Sequence, residues 1–437
     1  MAKPTLEGLP TELLILILLE IPDLVSLKSI VLSSPIFHQA YLTVRLEALS
    51  GIVKDQWGVL LGDAIAATRS RGLQFANHKQ EAIAILDTWR RKEEIRDLAL
   101  GSSIPIDELN NLEEIFNLFY LHKVFHFFLQ EYDMKAPRPP WISNDQWEHS
   151  ILPMNLSDTE KHRFIRALCR LQIYANVFSE YEHTTMTAEN KWNSWGGCGK
   201  NGSHHLYKEG YRLFFGAMPP WEFQEIGCLW AFFTTMFDHI YKEISVGLHD
   251  LVEKHMTTDP EYAWQRPYFE LLPDDIMPPW WNGVDRLSNV ELIWKFSNSL
   301  ALLGPDFVYR LLHGTPLIQR DMVMLNGNED LLRIFPDMYL QEEWMVPFIY
   351  PADRHAVQDY EQLWSTLPSI EQPNLGWKQV HVMPETPEQT FEEAIDVECP
   401  RKSVWRWGYA IFDDERLTAW KAPLMEFRLG NEPEFAV

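Results

Sequence analysis

Pro10-Thr11-Glu12-Leu13-Leu14-Ile15-Leu16-Ile17-Leu18-Leu19-Glu20-Ile21-Pro22 reads as a short helix with no polar face. Proline suits the first helical position, Glu12 complements the positive end of the helix dipole, and leucine outnumbers β-branched isoleucine through the run. Pro22, with no N–H to donate, stops it. A surface helix normally keeps one charged side. One that is apolar all round must be covered on both flanks, by its own fold and by a partner.

Working outward, Asp23 is placed to cap a second helix carrying Leu24, Leu27, Ile30 and Val31 at helical spacing. The Ser33-Ser34-Pro35 corner opens a third with Ile36, Phe37, Tyr41 and Val44. Three helices are therefore expected within residues 1–50.

These residues resemble the F-box, whose pattern begins Leu-Pro-x-Glu, continues through an apolar helix to Asp-Leu, and ends in an aromatic. Leu9, Pro10, Glu12, Leu13, Ile17, Asp23, Leu24, Leu27 and Phe37 carry the match. Two departures, the single Pro22 between Ile21 and Asp23 and Ser33-Ser34-Pro35 at the usual Cys-Lys/Arg corner, are similar to a fungal F-box subgroup ending Ser-Ser-Pro-x-Phe-His, here Ser33 to His38. Arg163 to Phe178, Pro219 to Trp230 and Gly304-Pro305-Asp306-Phe307 also look like that subgroup.

The resemblance implies that those nine residues dock on the Skp-type adaptor of an SCF ubiquitin ligase. The adaptor would bring the cullin scaffold, and the rest of the chain would hold an unknown target protein. An F-box protein acting with the adaptor alone is the alternative from another class, and an enzyme with an unrecognised site is a further one.

Composition fits a soluble protein of the cytoplasm or nucleus. The chain has 437 residues, 46% of them hydrophobic, and a formal net charge of -24. Such a balance argues against nucleic acid or an anionic membrane as partner, because phosphate binding depends on clustered Lys and Arg. Glu7 and Glu12 precede the apolar run with only Lys3 as a basic residue, so a signal peptide is not expected. No stretch reaches the roughly 18 apolar residues of a spanning helix. Cys169, Cys198, Cys228 and Cys399 lie far apart, without disulfide or zinc spacing.

After the F-box, residues 55–382 are expected to form a large helical module without repeats, with a sub-boundary near 137–141. Gln56 to Gly72 reads as a connection punctuated by glycine; Glu81 to Ile95 and Leu109 to Met134 read as amphipathic helices, the second capped by Asp107. Pro137, Pro139 and Pro140 break the pattern. Ser157-Asp158-Thr159-Glu160 is a capping-box signature opening a helix to Phe178. A strongly apolar helix starts at Pro219-Pro220-Trp221, and others are expected at Asn289 to Leu303, Asp306 to Leu312 and Asp353 to Leu367. Residues 383–400 hold six carboxylates and no Lys or Arg and read as an acidic linker. In 401–437, alternation from Val404 to Ile411 suits a short strand or an extended aromatic edge docked on the helical body. The expected fold class is mainly α.

Chemistry is sparse. Gly197-x-Gly199-x-x-Gly202 matches a dinucleotide fingerprint by letter, but polar Lys191 to Ser194 precede it where a strand is required. Gly199-Lys200 lacks the remainder of a phosphate loop. Cys198, His204 and His205 fall short of a zinc set, and His122 and His126 enclose Lys123 where a zinc peptidase carries its Glu. Asp274-Asp275 and Asp413-Asp414-Glu415 read as solvated carboxylates. No cofactor, no metal and no catalytic residue is expected.

Overall fold

The computed structural model describes residues 6–90, 109, 111–179, 182, 213–214, 218–219, 221–237, 240, 300–326, 365, 367–381 and 405–424. Among these the chain is mainly α, with no strand. The Gly197–Gly202 motif, His204, His205, the acidic stretch 383–400 and most of 353–367 lie outside the described residues, as do Asp107 and Asp274-Asp275.

Helix α1 spans Thr11–Leu19 and ends before Pro22, with Pro10 at its N-cap rather than inside it. Asp23 caps α2 (Leu24–Ser33), accepting from the N–H groups of Val25 and Ser26 at 2.9 Å. Ser34 caps α3, Pro35 sits in its first turn, and α3 runs to Trp57 with a kink at Val44. Both α1 and α2 pack on α3, around Leu14, Leu18, Leu27, Val31, Phe37 and Ala40.

The expected division at residue 50 therefore falls inside a helix. The second half of α3 buries Leu49, Ile52, Val53 and Trp57 and packs on α6 (Leu112–Lys135). The expected connection Gln56 to Gly72 contains a further helix, α4 (Leu61–Arg69). Its glycine-poor centre, Ala64-Ile65-Ala66-Ala67, is wholly buried, and that packing outweighs the low helix propensity of Gly62. Helix α5 is Lys79–Arg90, and Asn111, rather than the expected Asp107, supplies the side-chain cap of α6.

Helix α7 (Asp158–Phe178) is the centre of the module: α4, α6 and α9 (Gly304–Leu312) all pack against it. Its capping box is complete, with Glu160 N–H donating to Ser157 Oγ at 3.1 Å and Ser157 N–H to Glu160 Oε2 at 2.9 Å. Helix α8 covers residues 221–237, and α10 (Pro316–Asn326) follows α9. Pro137 to Pro140 end α6 without separating two cores. Trp147 Nε1 donates back to the Ala136 carbonyl at 3.1 Å, and one hydrophobic cluster includes residues on both sides of the break.

A buried helix carrying three arginines must pair them, and Arg163, Arg166 and Arg170 do so. Arg166 lies 2.7 Å from Glu222 and 2.5 Å from Glu225 of α8, while Arg170 pairs with Glu222 and approaches Asp63 of α4 at 3.6 Å. Burial disfavours the Arg166 charge, but Glu222 and Glu225 more than offset it and hold the guanidinium protonated. Burial likewise pushes the Glu225 carboxyl up, against the pull of Arg166. Arg163 donates to the carbonyls of Ile411 and Phe412 and to Asp413 at 2.9 Å.

His162 stands beside this ladder, and its pKa is pushed down to about 3 by burial and by Arg166. The folded protein keeps the ring neutral where the unfolded chain takes up a proton, so stability falls as pH drops from the ordinary histidine value towards about 3. His162→Gln is expected to flatten that acid loss. Urea midpoints at about pH 7 and about pH 4.5 check it.

The aromatic C-terminal segment folds back as expected, but not as a strand. Residues 405–411 form a helical turn followed by tight turns, and α12 (Asp414–Ala419) packs on α11 (Leu375–His381). Gly408 at φ +80 makes the bend that interrupts any extended run, and Trp405, Trp407, Tyr409, Ile411 and Phe412 are all buried. Arg416 clamps the segment to α7 through Glu160 at 2.7 Å. Trp405 lies flush on Gly227, where an added Cβ would meet the indole at 2.2 Å. Gly227→Ala should therefore displace Trp405, cost about 1–3 kcal/mol and expose the segment to limited proteolysis.

Candidate docking surface

The sequence could not say which side of the uniformly apolar α1 is covered. Leu14 and Leu18 point into the chain's own core, one turn apart, with Ile21 just beyond the helix. Leu13 and Leu16 point outward at 45% and 56% exposure, while Ile15, Ile17 and Leu19 are half-buried. Helix α2 repeats the pattern, with Leu27 and Val31 inside and Val25 and Leu32 outside at 76% and 70% exposure. Ile36 and Leu42 extend it along α3. Single exposed apolar residues are ordinary on any surface; six on three consecutive helices are a concentration that a partner would remove from water.

Of the nine residues read from sequence, Leu9, Ile17, Asp23 and Leu24 are half-buried, and Pro10, Glu12 and Leu13 are exposed. Leu27 and Phe37 are buried inside the three-helix unit. They shape the surface and do not present themselves to a partner. Leu16, Val25, Leu32 and Leu42 were not singled out from the sequence, and Ile36 was read only as an apolar position of the third helix; their signal is that they fall between core positions on the same helices. Asp23 keeps its carboxyl below the usual range through hydrogen bonds from the Ser26 hydroxyl and the N–H groups of Ser26 and Val25. That ionised cap fixes where α2 begins, and so which side chains it turns outward.

The remaining polar groupings are parts of the scaffold. His122 and His126 lie with ring centroids 6.0 Å apart, and His122 meets the Trp57 ring edge-on at 5.4 Å. Burial lowers the His122 pKa, with a smaller contribution from His126. Tyr120 donates to Asp306 at 2.8 Å, tying α6 to α9. Asp413, which precedes α12, pairs with Arg163, and Asp414 accepts from the Leu375 N–H, so neither is merely solvated. Among the described residues no group of three or more His, Cys, Asp or Glu could hold a metal ion, and no helix is long and apolar enough to cross a membrane. A scan against protein-family models, a search of curated proteins and a search of solved structures each found no match.

Proposed function

We propose that the chain is the substrate-receptor subunit of an SCF-type E3 ubiquitin ligase, acting in the cytoplasm or nucleus and carrying no catalytic site of its own. The N-terminal helices dock on a Skp-type adaptor, and the helical module holds a target protein. One observation carries the reading: the stretch that resembles the F-box turns Leu13, Leu16, Val25, Leu32, Ile36 and Leu42 to solvent while Leu14, Leu18, Leu27, Val31 and Phe37 are internal. An adaptor supplies the second cover that α1 requires.

The chain would act by tethering. Docking brings the cullin and a charged E2 enzyme, and a target bound to the module gains a high effective concentration near that enzyme. The continuous α3 supports this role, because it joins the docking helices to the packed module without a flexible linker.

Affinity purification of the tagged chain from its native cells tests the reading. Recovery of both the adaptor and a cullin is the expected result. The adaptor without a cullin would assign the chain to ligase-independent F-box proteins, and neither protein would overturn the proposal.

A further inference from the structure

The last outward apolar side chain of α3 stands just before its kink. Leu42 is 51% exposed, and Arg45 follows three residues later, just past Val44. The Arg45 guanidinium lies over the ring of Phe116 on α6, 5.8 Å from its centroid, and Phe116 is itself 48% exposed. Arg45 Nε is buried without a hydrogen-bond partner, and no carboxylate among the described residues pairs with the guanidinium.

The chain has 62 acidic and 38 basic residues, and Arg69, Arg163, Arg166, Arg170 and Arg310 each hold a carboxylate where Arg45 holds only the Phe116 ring. A guanidinium with an unfilled fork, partly withdrawn from water and backed by an aromatic ring, is organised for a planar anion. The exposed Phe116 and Leu42 beside it call for apolar contact at the same place. Arginine and aromatic residues together are the side chains that most often anchor protein interfaces.

We propose that the adaptor-docking surface continues along α3 onto Arg45 and Phe116, where the adaptor places an Asp or Glu side chain against the Arg45 guanidinium and an apolar side chain against Phe116 and Leu42. The inference rests on the docking role proposed for α1–α3. It adds a charged, orienting contact to a surface that is otherwise apolar, and it makes the module's own helix α6 part of the recognition. An apolar face alone tolerates sliding; one charge-assisted contact at its end fixes the register.

The test is a binding titration of the full chain with the purified Skp-type adaptor, at low and at high ionic strength. Wild type is compared with Arg45→Gln, Arg45→Lys and Phe116→Ala, each checked for folding by circular dichroism. Arg45→Gln should weaken binding roughly tenfold at low salt, and the gap should narrow at high salt. Arg45→Lys should fall between, since it keeps the charge and loses the fork. Phe116→Ala should weaken binding at both salt concentrations. Because Arg45→Lys keeps the apolar stem, it reads the charge contact even if the glutamine disturbs packing. Equal affinity of wild type and both Arg45 variants overturns this inference and leaves the docking role standing. No binding by wild type overturns both, and concentration-dependent self-association lost in Arg45→Gln would assign the surface to a second copy of the chain instead.

Discussion

Replacing Leu13 and Leu16 together by aspartate is expected to abolish adaptor binding, weakening it more than a hundredfold, while thermal unfolding stays close to that of wild type. Both side chains already face water, so the free protein loses almost nothing; substitutions away from buried features usually stay within about 0.5 kcal/mol. In the complex each anchor contributes on the order of 2 kcal/mol, and each introduced carboxylate must also be desolvated. At about 1.4 kcal/mol per decade, the losses reach two to three orders of magnitude. Leu14→Asp and Leu18→Asp are the contrast, because both are fully buried and would unfold the N-terminal helices. Titration with the adaptor alongside circular dichroism melts separates the two classes. A surface pair that lowers stability as much as the core pair would mean that the face is covered from within.

The largest effect on stability is expected at Arg166. Arg166→Met removes the only cation that bridges Glu222 and Glu225 among the described residues and leaves Glu225 buried without compensation. Breaking a buried pair from one side costs about 3–5 kcal/mol, much of it the stranded charge. The Arg166→Met, Glu225→Leu double variant should recover more than half of that loss. Arg170 still neutralises Glu222, and the two apolar side chains fill a similar volume. A double-mutant cycle in chemical denaturation measures the coupling. Additive losses from the two substitutions would contradict the pairing.

Local chemistry accounts for what was legible in the sequence. Asp23, Ser34-Pro35 and the Ser157/Glu160 capping box act over a few residues, and all three helices begin where those caps require. Distant packing accounts for what was not. Helix α4 contains Gly62, a break by propensity, yet its alanine face is buried and it packs against α7. The segment from Trp405 to Ile411 alternates like a strand, but the bend at Gly408 turns the chain where an extended run would have to continue. The spacing of Arg163, Arg166 and Arg170 was visible in the helix that contains them. Their partners were not, since Glu222 and Glu225 lie 52 and 59 residues further on.

For the docking surface the limit was of another kind. Caps and periodicity placed the three N-terminal helices, but Leu27, read as a docking residue, is buried, and an unbroken apolar run carries no label for its outer face. Leu13 and Leu14 are chemically the same, and only their position around α1 makes one exposed and the other core. Leu16, at the centre of the run, therefore became recognisable as a surface residue only with the helix seated on α3.

Hydrogen–deuterium exchange of the full chain with and without saturating Skp-type adaptor tests the central claim most directly. The account predicts slowed exchange on binding across residues 9–42, strongest in α1 and α2, with α7 and the C-terminal segment unchanged. Absence of a complex, or protection confined to the module while α1 and α2 exchange as before, would contradict it.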